Sequence, residues 1–102
     1  MYVIAQSYYR ERLKLKIMKT IWKYKLDNIG GVEMPKGAEV LCVQVQDNEP
    51  CLWALVDPNA AKEIRHFLVV GTGHVIEKQY IKYVSTFQMH SGILVFHVFE
   101  VL

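Results

Sequence analysis

The most suggestive chemistry-bearing group in this chain is Gly71-Thr72-Gly73-His74. It follows an apolar run, and exposed backbone N–H groups in a glycine-rich turn can cradle an anion. Nucleotide fingerprints demand more: further glycines at fixed spacing, a Lys-Ser/Thr pair, and a helix whose N-terminus faces the phosphate. None of these accompanies the group, and a tight loop that lets the chain leave a sheet explains the same four residues. If the fold builds a ligand pocket, it is expected at Gly71, Thr72, Gly73 and His74, with Arg65, His66 and Trp53 nearby.

The remaining reactive residues carry weaker patterns. His66, His74, His90 and His97 contain no pair at two- or four-residue spacing. No strand or helix therefore presents two imidazoles at once, and no metal site is expected. Ser7, Ser85 and Ser91 lack the nucleophile elbow, and neither Cys42 nor Cys51 shows an activating base. A general acid–base pair such as Glu100 with His74 has no motif behind it. Neither catalytic residues nor a cofactor are expected, and an enzyme is the least supported class. His97 stands in an apolar run, three residues from Glu100 and on the opposite face of a regular strand. It reads as a satisfied core or interface histidine.

These residues must be positioned by strands. Thr20–Leu26 alternates, with Trp22, Tyr24 and Leu26 on one face and Lys23 and Lys25 on the other. Asp27 to Gly31 breaks the pattern, and Val32 to Met34 forms a short strand before a Pro35-Lys36-Gly37 turn. Ala38–Gln46 predicts a strand with Leu41, Val43 and Val45 on one face and Cys42, Gln44 and Gln46 on the other. Asp47-Asn48-Glu49 supplies a hairpin loop, and Pro50 a strand start or an edge. Cys51–Val56 is apolar on both faces and predicts a central strand, with Trp53 a large contributor to burial. After Asp57-Pro58-Asn59 comes at most one helical turn, then a strand from Ile64 to Val70. Tyr80–Met89 and Ile93–Leu102 flank a short turn at His90-Ser91-Gly92. About six or seven mostly antiparallel strands predict an all-β fold, a small barrel or sandwich.

The composition sets further bounds. With 102 residues, 52% of them hydrophobic and 22% charged, the chain suits one folded domain. The net charge of +2 is uneven. Residues 1–17 hold Arg10, Arg12, Lys14 and Lys16 against Glu11, and the other 85 residues hold eight cations and nine carboxylates. The domain over 18–102 is thus near neutral, which weakens the case for nucleic acid. Residues 1–17 read as a basic leader or extension, with Met18 a plausible start in its own right. In adjacent strands Cys42 and Cys51 could lie close enough to bridge. Reduced thiols are the ordinary state without a secretory signal. No apolar run reaches the length of a membrane helix, so no membrane role is expected. Finally, the last strand is apolar on both faces, with Ile93, Val95 and Phe99 against Leu94, Phe96 and Val98. Such a strand is either central or meets another chain, and a homo-oligomer is expected.

Five motifs together carry a resemblance: I-W-K-Y near Ile21, E-M-P-K-G-A at Glu33–Ala38, P-C-L-W-A-L-V-D-P at Pro50–Pro58, V-G-T-G-H at Val70–His74 and L-V-F-H-V-F-E at Leu94–Glu100. In the same order over about Met18–Glu100, they resemble a family of small uncharacterised phage and prophage proteins filed as a domain of unknown function. The leader lies outside the pattern, as does Val75-Ile76-Glu77-Lys78, where the family tends toward proline. The resemblance implies a phage-related origin, the host cytoplasm as location, and no established activity to transfer. The expected function is a non-enzymatic binding protein that sequesters a host protein or a small nucleotide signal, an anti-defence role. The alternatives are a nucleic-acid-binding module using the basic leader, and a minor virion component.

Overall fold

The computed structural model describes residues 18–27 and 31–102. The leader, and with it the basic-arm reading, lies outside them, as does most of the turn after Asp27. Seven strands are present: β1 (Thr20–Lys25), β2 (Val32–Pro35), β3 (Glu39–Gln46), β4 (Glu49–Val56), β5 (Lys62–Gly71), β6 (Ile81–Met89) and β7 (Leu94–Val101). They form a three-stranded sheet, β1-β4-β3, and a four-stranded sheet, β2-β5-β7-β6. Every pairing is antiparallel. Among the described residues there is no helix, and the barrel does not close. The fold is a sandwich.

Turn chemistry sets the register. Asp47 and Asn48 both take positive φ, at 53° and 63°, and Gln46 pairs with Glu49 across them. That is a two-residue turn of the kind whose twist matches the flanking strands, and Asp and Asn tolerate it best after glycine. Pro50 sits second in β4, consistent with a strand start. At Pro35–Ala38 the chain reverses with Ala38 N–H donating to Pro35 O at 3.1 Å, and Gly37 takes φ +80°. No helical turn follows Val56. Asp57 instead closes a turn through Ala60 N–H to its carbonyl and Asn59 N–H to its carboxylate, both at 3.0 Å. The strand then begins at Lys62, two residues before Ile64.

The core lies between the two sheets. Leu52, Ala54 and Val56 of β4 and Val43 of β3 face Val98 of β7 and Phe87 of β6, and Met34 of β2 joins the same cluster. Burying a side chain of this size contributes about 1.5–3 kcal/mol. Phe87 and Phe96 stack within this layer, with ring centroids 5.5 Å apart.

Two edges depart from simple alternation. In β3 the register shifts between Val40 and Cys42, leaving Leu41 as the extra residue of a bulge. Val40 therefore joins the inner face with Val43 and Val45, and Leu41 is 44% exposed. This corrects the face expected for Leu41, because an inserted residue flips the alternation on one side of it. A second shift falls between Tyr83 and Ser85 of β6. The two bulged edges approach each other, and Ser85 Oγ donates to Val43 O at 3.3 Å.

Candidate functional site

The outer face of the four-stranded sheet can be read from the register. Phe67, Val69, Phe96 and Val98 point into the core, so Leu68, Val70, Val95, His97, Phe99 and Val101 point out. On β6 the outward residues across from them are Ile81, Tyr83, Thr86 and Gln88. Antiparallel sheets normally present polar residues to water on such a face. This one is mostly apolar, and none of these ten side chains is a lysine, arginine or carboxylate. Tyr83 meets Phe99 edge-on, with centroids 5.7 Å apart at 72°. At 56% exposure Tyr83 stands at the surface. Of the two readings its apolar faces allowed, a central place is the one observed: β7 lies between β5 and β6, and among the described residues no other layer of the sandwich covers its second face.

His97 is held in the middle of this face by hydroxyls. Its Nε2 lies 2.8 Å from Thr72 Oγ1 and its Nδ1 3.0 Å from Thr86 Oγ1, which in turn lies 2.7 Å from Tyr83 Oη. Thr72 Oγ1 also donates to Val95 O at 3.4 Å. The loop after β5 folds over one end of the face. There Val70, Gly71, His74, Ile76, His97 and Phe99 line a shallow pocket of about 160 Å³. The His74 ring lies against Gly71, where an added Cβ would come within 3.3 Å of it.

The structure brings some of the expected site residues together and separates others. Gly71, Thr72, Gly73 and His74 share the pocket. Two of the loop's N–H donors are already engaged, Thr72 N–H with Val95 O at 3.2 Å and His74 N–H with Gly71 O at 3.1 Å. The pocket lining carries no lysine or arginine, so the loop has little with which to hold a phosphate. His66 shares the outer face but pairs with Val101 at the far end of the strand from Gly71. Trp53 lies on the outer face of the other sheet, between Lys23 and Cys42, where it is half-buried.

Arg65 points inward. Its Nε and Nη2 donate to Glu100 Oε2 at 2.7 Å and Oε1 at 2.9 Å, and Nη1 donates to Ala38 O. The hydrogen bond to Glu100 raises the guanidinium pKa, against the opposing effect of burial. Glu100 is therefore engaged on the inner side, away from His74. The pair lines a groove of about 410 Å³ between the sheets, with Lys82 and Tyr83 at its wall. His97 is the site residue that the sequence reading left out of the pocket. Its place opposite Val70 and Thr86 depends on long-range register.

Cys42 and Cys51 are free thiols. Among the described residues no group of three or more His, Cys, Asp or Glu side chains is placed to hold a metal ion. A family model, the domain of unknown function DUF7352, matches residues 18–102. No curated protein and no solved structure matches the chain.

Proposed function

The chain belongs to the DUF7352 family, and from the geometry of its sandwich we propose that it is a non-enzymatic interaction domain that associates with a second copy of itself. One observation carries this reading: the apolar stretch of outer face formed by β7, β6 and the second half of β5, with Lys62 and Glu33 confined to its β2 end. Apolar patches of this kind on a small domain mark contact sites. A face whose centre carries no fixed charge meets no like-charge repulsion there from its own copy. The near neutrality of residues 18–102 adds no long-range repulsion between copies. A two-fold pairing of this face would be isologous, the commonest symmetry of soluble oligomers.

A phage-encoded accessory role in the host cytoplasm is part of the same proposal. It rests on the motifs at Pro50–Pro58, Val70–His74 and Leu94–Glu100. Sequestration of a host protein would use the same face. Sedimentation velocity over a concentration series tests the reading. The chain is expected to associate, and Tyr83→Glu, which places a carboxylate on the face of each copy, is expected to leave it monomeric. A wild-type chain that remains monomeric at high concentration overturns the proposal.

A further inference from the structure

Three of the chain's four histidines, His66, His74 and His97, stand on or beside this largely apolar outer face, whose fixed charges, Lys62 and Glu33, lie at its β2 end. Imidazole is the side chain that takes up a proton under mildly acidic conditions. The setting of His97 shows what that proton would do. Thr72 Oγ1 gives its proton to Val95 O, so it accepts from His97 Nε2–H. His97 Nδ1 then accepts from Thr86 Oγ1, and Thr86 accepts from Tyr83 Oη–H. In this arrangement every donor points inward along the chain, from Tyr83 to Val95 O. This arrangement corresponds to the tautomer with a single ring proton on Nε2.

A second proton on His97 reverses half of this chain. Nδ1–H must now donate to Thr86 Oγ1, whose own proton turns to Tyr83 Oη, and the Tyr83 hydroxyl proton turns out to solvent. The new charge also appears where, among the described residues, no carboxylate faces the ring directly. His97 is faced by Val70 of β5, by Thr72 and His74 of the following loop, by Thr86 and Tyr83 of β6, and by Val95 and Phe99 along β7. The titratable groups among these are His74 and Tyr83, and neither is a carboxylate. Beyond them lie His66 and Lys62 on β5, Glu33 on β2 opposite Ile64, and the exposed Glu77 and Lys78 of the loop.

Building on self-association through this face, we propose that the interface is a pH switch. Copies pair while His97 is neutral and separate when it is protonated, with His66 and His74 adding to the repulsion. Burying an unpaired charge against an apolar partner is strongly unfavourable, whereas the same charge on the free monomer remains in contact with water.

The test is sedimentation velocity of the full chain at about pH 7.5 and about pH 5.5, values that bracket imidazole protonation. Circular dichroism at both values checks that the sandwich persists. The dissociation constant is expected to rise about tenfold or more on acidification, equivalent to about 1.4 kcal/mol. His97→Gln is expected to keep the association and lose most of its pH dependence. Thr86→Val removes the acceptor for Nδ1–H while keeping the shape, and is expected to move the acid step to lower pH. Wild-type association of equal strength at both values overturns the switch and leaves self-association standing. An acid step that persists unchanged in both variants overturns the assignment to His97. A chain that is monomeric at both values overturns the reading and the switch together.

Discussion

Arg65 on β5 grips Glu100 on β7 with two parallel hydrogen bonds and, with its remaining nitrogen, reaches across to the carbonyl of Ala38 at the mouth of β3. One side chain thereby ties the four-stranded sheet to the three-stranded one. Both partners are mostly shielded from water, at 18% and 13% side-chain exposure. Glu100→Gln is expected to lower stability by about 1–3 kcal/mol, because it leaves the guanidinium without its counter-charge. The double change Arg65→Met with Glu100→Leu is expected to cost less than either single change. Urea denaturation of the wild type, Arg65→Met, Glu100→Leu and the double variant measures this, and simple additivity would show that the two residues act independently. The raised guanidinium pKa adds stability that is fully present below arginine's ordinary, strongly basic range. It is lost only in strong alkali, so the guanidinium contributes no pH dependence near neutrality.

Tyr24 behaves differently. Its hydroxyl is buried with no hydrogen-bond partner among the described residues, and burial raises its pKa. Tyr24→Phe is expected to leave neutral-pH stability unchanged or raise it, by at most about 1 kcal/mol. A raised phenol pKa favours the protonated folded state. Its contribution is complete below tyrosine's ordinary value of about 10 and is lost as pH rises through the higher folded value. Urea midpoints of the wild type should therefore fall in alkali more steeply than those of the phenylalanine variant.

The bulge in β3 makes a sharp contrast between neighbours. Leu41→Ser is expected to change stability by less than about 0.5 kcal/mol, as at an ordinary surface position. Val40→Ala should cost about 1 kcal/mol or more, and Leu52→Ala about 2–5 kcal/mol. Chemical denaturation ranks the three. A large loss from Leu41→Ser would mean that the strand alternates without interruption.

Gly73 takes φ +89° with open space where a Cβ would sit. Gly73→Ala therefore meets no neighbour, and its cost of about 1–2 kcal/mol is the backbone's alone. Thermal unfolding is expected to show that loss with the sandwich's circular dichroism unchanged.

The strand pattern was legible in the sequence because each strand ends in residues that favour a turn. Asp47-Asn48 fixed a hairpin, and Gly92 closed another. The double-sided apolar character of β4 correctly marked it as central, whereas that of β7 left a central place and contact with another chain both open, and the register shows the first. The face of Leu41 was hidden, since a bulge is a property of two strands in register and leaves no mark on one. The site was legible only in part. Gly71 to His74 form one wall of the pocket, but the other wall is His97 and Phe99, brought there by pairing with β5. Trp53 belongs to the other sheet, and Arg65, though six residues from that loop, turns inward to Glu100. Which sheet a strand joins, and which way its side chains face, is decided by partners far away in the chain.

Returning to the seam where Ser85 touches Val43, two interrupted ladders are turned toward each other, and neither offers an incoming strand an unbroken row of donors and acceptors. On the opposite flank β2 is four residues long and ends in Pro35, while β1 carries Lys23 and Lys25. Growth into fibres by endless edge-to-edge addition is thus obstructed on both flanks. What these edges leave open to contact are the broad faces, and a two-fold pairing of faces, unlike edge addition, has no free end from which to grow.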